Sequence, residues 1–167
     1  PVGETVELDA LAAFLARRAP GRNAMSTARK ETDAVRVLSG LYQGKTSGAP
    51  LCMVIENRNA HSNDYERLRH IPRPAHADYS ASVRYHDFSD PNGGGHFSGR
   101  LTAPLCAAGG VCLQILSRKG IAIGGHLSRC AGVEDMPVNS LQLTAEQLAA
   151  AAKRPIPVFD ENVGARM

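Results

Sequence analysis

The 167-residue chain has no tryptophan, only 5% aromatic residues, and no Cys-x-x-Cys pair among its four cysteines. The scarcity of aromatics leaves little on which to stack nucleobases. The formal net charge of +3 is too mild to imply nucleic acid on its own. Without close cysteine pairs there is no zinc ribbon and no redox motif. Cys52, Cys106, Cys112 and Cys130 sit in apolar or small-residue runs and read as buried thiols of a cytosolic protein. No uninterrupted run approaches the roughly 18 apolar residues expected of a membrane span, and no signal peptide opens the chain. Hydrophobic content of 43% and charged content of 21% are those of a globular protein, which at this length forms one domain, 1–167. The chain opens at Pro1 without Met and stops soon after a helix-like segment, so a fragment of a longer protein is expected.

What is present concentrates in residues 58–100. This stretch holds five of the six histidines (His61, His70, His76, His86, His96) and six arginines (Arg58, Arg67, Arg69, Arg73, Arg84, Arg100). It has little helical or strand period, so it reads as a long loop, and long loops inside compact domains are usually functional. The plain alternative is a solvated basic face. Within it, Gly93, Gly94 and Gly95 strip the backbone of side chains and offer bare N–H groups to a flat or charged ligand. His76, Arg73, Arg100 and Ser98 flank that triplet, and imidazole beside guanidinium suits a phosphate or carboxylate. The pattern lacks the Lys-Ser/Thr of a P-loop, and no Gly-x-Gly-x-x-Gly follows a strand.

Around the loop the periodicities predict an amphipathic helix over 8–18, ended by Pro20-Gly21, and strands over 34–39 and 50–57 with turns at Gly44 and Gly48. Ser98 is positioned to cap a helix over about 100–117, apolar on most sides and expected in the core. Its first N–H groups would face Ser98 and the glycines. Residues 120–130 alternate like a strand with His126 near the middle. Thr144 and Gln147 form a capping box opening a helix that Pro155 closes. With no βαβ rhythm, the fold class is α+β, a layered sandwich of helices between β-sheets.

Several blocks in register carry a family resemblance: Arg-Arg-x-Pro-Gly (17–21), Thr-x-Arg-Lys-Glu (27–31), Leu-Ser-Gly followed by Gly-Lys-Thr-Ser-Gly-Ala-Pro (38–50), Asn-x-x-Ser-x-Asp-Tyr (59–65), Arg-Pro-x-His-Ala-Asp-Tyr (73–79) and Gly-Gly-Gly-His-Phe-Ser-Gly-Arg-Leu-Thr-Ala (93–103). Together they resemble chorismate synthase, over roughly the first half of that family's chain. The resemblance implies conversion of 5-enolpyruvylshikimate 3-phosphate to chorismate by 1,4-anti elimination, with reduced FMN required. It also implies a cytoplasmic homotetramer acting on a small molecule, with no nucleic acid, membrane or metal.

By the same resemblance His76 is the histidine beside the flavin, and imidazole titrates in the range that suits proton transfer there. Arg29, Ser98, Gly99 and Arg100 are implied as substrate contacts, with Arg22 a weaker carry-over. Arg73 and Ser98 join His76 on the cofactor side. Ala75 stands where the family usually has glycine, and His96-Phe97 and Gly99 depart from the commoner residues. His96 is either an extra pocket histidine or a loop residue. The family's Gly-Glu-Ser-His-Gly block, with its second catalytic histidine, does not occur in the 167 residues, so the chain alone is expected to be inactive. Two other classes remain open: a non-catalytic anion- or flavin-binding relative, and a nucleic-acid binder using the basic loop.

Overall fold

A computed structural model describes residues 1–18, 33–57, 71–90, 97–139 and 141–167. It divides into two compact units, Pro1–Cys112 and Leu113–Met167. Helices and small sheets mix in an α+β arrangement.

In the first unit, α1 (Leu8–Ala16) buries Leu11 and Leu15 on one stripe, each 1% exposed, as the period predicts. Strand β1 (Val35–Ser39) pairs antiparallel with β4 (Cys52–Ile55), from Val35 opposite Ile55 to Ser39 opposite Cys52, with a bulge between Val37 and Ser39. Between them lies a hairpin, β2 (Leu41–Tyr42) with β3 (Lys45–Thr46). Its two-residue loop, Gln43-Gly44, has positive φ at both positions, the turn whose twist matches its strands. The N-terminal residues extend this hairpin: the Gly3 N–H donates to the Thr46 carbonyl and the Val6 N–H to the Gly44 carbonyl.

The long segment read as loop contains a helix, α2 (Asp78–Tyr85), ended by His86 and Asp87 in left-handed conformations. A single 3₁₀ turn, Gly99–Leu101, then leads into α3 (Thr102–Arg118). Ser98 caps as expected, but it caps the 3₁₀ turn. Pro104 fits the first turn of α3, where its missing N–H breaks no helical bond.

Only one stripe of α3 is buried: Ala103, Ala107, Gly110 and Val111. A side chain at Gly110 would meet Leu11 Cδ1 at 2.6 Å and Phe14 Cδ1 at 3.0 Å, so α1 packs directly on the backbone there. The opposite face leaves Leu105 72% exposed, which corrects the expectation of a helix enclosed on most sides. By length and composition Gly99–Arg118 could cross a membrane, a test that core helices of soluble proteins also pass. The sequence missed this because Arg100, Thr102, Gln114 and Ser117 interrupt the apolar run. The cysteines also need correction: Cys52 and Cys112 are exposed, and Cys106 and Cys130 half-buried. Cys52 opens β4 of a two-stranded sheet, and Cys112 follows the packed stripe of α3, so neither is enclosed.

In the second unit, residues 121–128 are irregular, not the expected strand; only Arg129–Cys130 (β5) pairs, with Val133–Glu134 (β6). The reason is packing. A side chain at Gly124 would meet Leu148 Cβ at 2.9 Å, so the segment lies against a helix instead of a strand partner. Its backbone ties are scattered: the Ile121 N–H donates to the Leu116 carbonyl, the Leu127 N–H to the Pro157 carbonyl, and the Ser128 carbonyl accepts from the Asp135 N–H. That helix, α4 (Ala145–Lys153), opens with the expected capping box between Thr144 and Gln147. A final turn, α5 (Glu161–Gly164), is capped by Asp160.

Gly109 and Gly110 provide a test of this packing. No atom of the described residues lies within 4 Å of a Cβ built at Gly109, so Gly109→Ala is expected to stabilise by about 0.5–1 kcal/mol through helix propensity. Gly110→Leu is expected to destabilise by about 1–3 kcal/mol through overpacking against Leu11. Urea unfolding of both variants measures the contrast.

Candidate active site

The most organised polar cluster lies in residues 73–78. Pro74 and Ala75 form the middle of a tight turn closed by the His76 N–H donating to the Arg73 carbonyl, 3.3 Å. Ala75 has φ 57°, as the third position of a type II turn requires, a place normally given to glycine. The turn brings His76 back toward Arg73 and sends the chain into α2, whose first residue is Asp78.

Asp78 is the hub. Its Oδ2 accepts from the Arg73 backbone N–H (2.9 Å) and from Arg73 Nε (2.7 Å). Its Oδ1 accepts from Arg73 Nη2 (2.8 Å) and lies 2.5 Å from His76 Nδ1. The two guanidinium bonds are the forked pairing that fixes a carboxylate in plane. Hydrogen bonds from Arg73 hold the Asp78 carboxyl well below the usual carboxylate range, outweighing partial burial. Arg73 Nη2 also sits 3.1 Å from Nδ1 and 3.2 Å from Nε2 of His76. Near-equal distances place it over the imidazole rather than in line with either lone pair.

The second candidate element is the turn after the glycine triplet. Ser98 Oγ accepts from the Arg100 N–H at 3.2 Å, which leaves its hydroxyl proton available to donate. Thr102 Oγ1 donates to the Gly99 carbonyl at 2.7 Å. Among the described residues, none comes within 4 Å of a Cβ built at Gly99. Arg18, at the end of α1, anchors it: one guanidinium nitrogen pairs with Asp33, another reaches Thr102 Oγ1 at 3.3 Å. The two candidate elements meet through α2, where Tyr85 stacks at a tilt on Phe97, centroids 6.3 Å apart.

The 167 residues match, end to end, the family model described as chorismate synthase. A chorismate synthase of Lancefieldella parvula is 40% identical over 98% of this chain and 46% of its own length. One from Thermococcus kodakarensis is 43% identical over 80% of this chain and 38% of its own. One from Thermococcus gammatolerans is 38% identical over 100% and 45%. This chain belongs to the chorismate synthase family. It spans less than half the length of these relatives.

Of the residues that sequence assigns to a chorismate synthase site, the structure joins Arg73 and His76 in one cluster and Ser98, Gly99 and Arg100 in one turn. Arg29, Arg22, His96 and the glycine triplet 93–95 lie outside the described residues. Sequence reasoning quoted Asp78 inside a motif but gave it no role. The signal was there: an aspartate two residues beyond a histidine, with an arginine upstream.

A second histidine–aspartate pair, also missed, lies in the Leu113–Met167 unit. The Asp135 side chain is 1% exposed. It accepts from the Phe159 N–H (2.7 Å) and Asp160 N–H (3.0 Å), with His126 Nδ1 at 3.3 Å. Burial pushes its carboxyl up, but the N–H groups of Phe159, Asp160 and Met136, together with His126, hold it below its ordinary value. The His126 ring packs on Phe159, centroids 4.7 Å apart. Its bonds are those of a loop clasp.

Two predictions follow from the site geometry. A left-handed alanine costs about 1–2 kcal/mol and a glycine's extra unfolded freedom about 0.5–1 kcal/mol, so Ala75→Gly is expected to raise stability by up to about 1 kcal/mol; thermal unfolding reads it. Asp78 and Asp135 both titrate lower when folded than unfolded. Their stabilisation is therefore present above the unfolded carboxylate value of about 3.9 and is lost as pH falls toward the folded values. Urea unfolding against pH should show stability falling below about pH 4, and a shallower fall in Asp78→Asn.

Proposed function

We propose that this chain supplies part of a site that converts 5-enolpyruvylshikimate 3-phosphate to chorismate in the presence of reduced FMN. The observation that carries the reading is the end-to-end family match, in a chain where the motif histidine sits in a built turn beside an arginine and an aspartate. On this reading the chain is part of one catalytic domain, a layered sandwich of helices between sheets, in a cytoplasmic homotetramer.

The donor set suits both ligands. Phosphate and carboxylate call for guanidinium forks and hydroxyl donors, which Arg100 and Ser98 provide on one turn. The flavin has polar ring edges and a phosphate, which suit His76, Arg73 and Ser98. Reduced FMN held there would supply transient electron density to an elimination that has no net redox change. His76 exchanges a proton with the flavin side at a ring nitrogen, a task imidazole performs near neutral pH. Arg100 and Ser98 orient the departing phosphate, with the Gly99 backbone allowing close approach. Arg29 and Arg22 complete the anion contacts. The Arg73 fork is spent on Asp78, so its contribution to the flavin side is to hold the turn as much as to donate.

The test is chorismate formation from 5-enolpyruvylshikimate 3-phosphate under reducing, anaerobic conditions with FMN. The 167-residue chain lacks the Gly-Glu-Ser-His-Gly block and is expected to form none; measurable turnover would refute that. In a protein of the relatives' full length that includes this sequence, His76→Ala is expected to lower kcat by about 10²–10⁴-fold. Unchanged turnover there would remove His76 from the chemistry. Binding of FMN with no turnover in that longer protein would favour a non-catalytic relative.

A further inference from the structure

We propose that Asp78 is a positioning residue that holds His76 as the Nδ1–H tautomer and so presents Nε2, unprotonated, as the atom that exchanges the proton. The mechanistic half of this rests on the reading of His76 given above; the tautomer assignment rests on geometry alone.

The argument is one of donor and acceptor sign. An ionised carboxylate can only accept, and a guanidinium can only donate. His76 Nδ1 lies 2.5 Å from Asp78 Oδ1, so the proton between them belongs to Nδ1. Nε2 has Arg73 Nη2 at 3.2 Å. The same Nη2 sits 3.1 Å from Nδ1, over the ring, so it does not choose between the two nitrogens. The Asp78 contact therefore selects the Nδ1–H tautomer, whereas an isolated histidine side chain favours the other one.

Asp78 can impose this because it is itself held. The backbone N–H and Nε of Arg73 fix Oδ2, and Nη2 fixes Oδ1. The carboxylate cannot rotate away from the imidazole without breaking a forked ion pair. Arg73 and the turn would be closed by these three bonds alone, so the contact to Nδ1 is surplus to turn formation. Orienting one ring nitrogen so that the other does the proton chemistry is what a carboxylate partner does for a histidine base.

Asparagine at 78 should reverse the selection. Its single oxygen keeps the two Arg73 donors at the Oδ2 position, and its NH₂, giving up the bond from Arg73 Nη2, then faces His76 Nδ1. Nδ1 must become the acceptor and the proton moves to Nε2.

Long-range ¹H–¹⁵N correlation on the histidine-labelled 167-residue chain, above the histidine titration range, reads the tautomer directly. The His76 signals are assigned by their loss in His76→Ala. The expected result is a roughly tenfold or greater excess of Nδ1–H in the wild-type chain, about 1.4 kcal/mol of selection, and predominantly Nε2–H in Asp78→Asn. An Nε2–H pattern in the wild type overturns the proposal even if Asp78→Asn fails to fold. An unchanged Nδ1–H pattern in a folded Asp78→Asn overturns it too.

In a protein of the relatives' full length, Asp78→Asn should lower kcat by about 10–10³-fold with KM little changed. Turnover unchanged in His76→Ala while the spectra are as expected would leave the tautomer assignment standing and defeat the reading of His76 as the proton carrier. Turnover lost in His76→Ala but unchanged in Asp78→Asn would deny Asp78 its positioning role.

Discussion

Two aspartates hold what the sheets of this chain are too small to hold. Each described sheet has only two strands, and isolated two-stranded pairs are marginal in water. Asp78 gathers four donors from Arg73 and His76, and Asp135 gathers the N–H groups of Phe159 and Asp160 with His126. In each unit the segments that would otherwise wander are pinned by an ionised carboxylate. Such bonds are stronger than neutral ones, and they fix direction as well as distance.

The same device shapes the candidate site. The seat of His76 is assembled from six consecutive residues, 73–78, without help from a sheet. It needs Pro74 to start the turn, a left-handed backbone at Ala75 to finish it, and a helix beginning at Asp78. The Ser98–Arg100 turn is built differently, through α3 and the anchoring of Arg18. One element is locally specified, the other by packing between distant parts of the chain.

That difference explains how much could be read from the sequence. The α1 stripe, the β1 and β4 strands and the Thr144–Gln147 box depend on neighbours within a few residues, so period and capping rules found them. His76 was legible because a motif named it. Asp78 was not, since its reach to Nδ1 depends on the positive φ at Ala75, which no side-chain pattern announces. Residues 120–130 alternate like a strand, yet the bare backbone at Gly124 lets Leu148 of a later helix approach, and Asp135 captures His126. The exposed faces of α3, Cys52 and Cys112 escaped because composition records what is apolar and not what is covered. Arg22 and Arg29 remain assignments by resemblance, and the readings of His96 and the glycine triplet likewise lie outside the described residues.

The contact of Leu11 with Gly110 also sets an order of events during synthesis. About 100 residues separate the two partners, and ribosomes add about 5–20 residues per second. The apolar stripe of α1 therefore emerges roughly 5–20 s before the helix that covers it has been made. Over that interval the apolar stripe of Leu11 and Leu15 lacks the backbone of Gly110 that later packs on it.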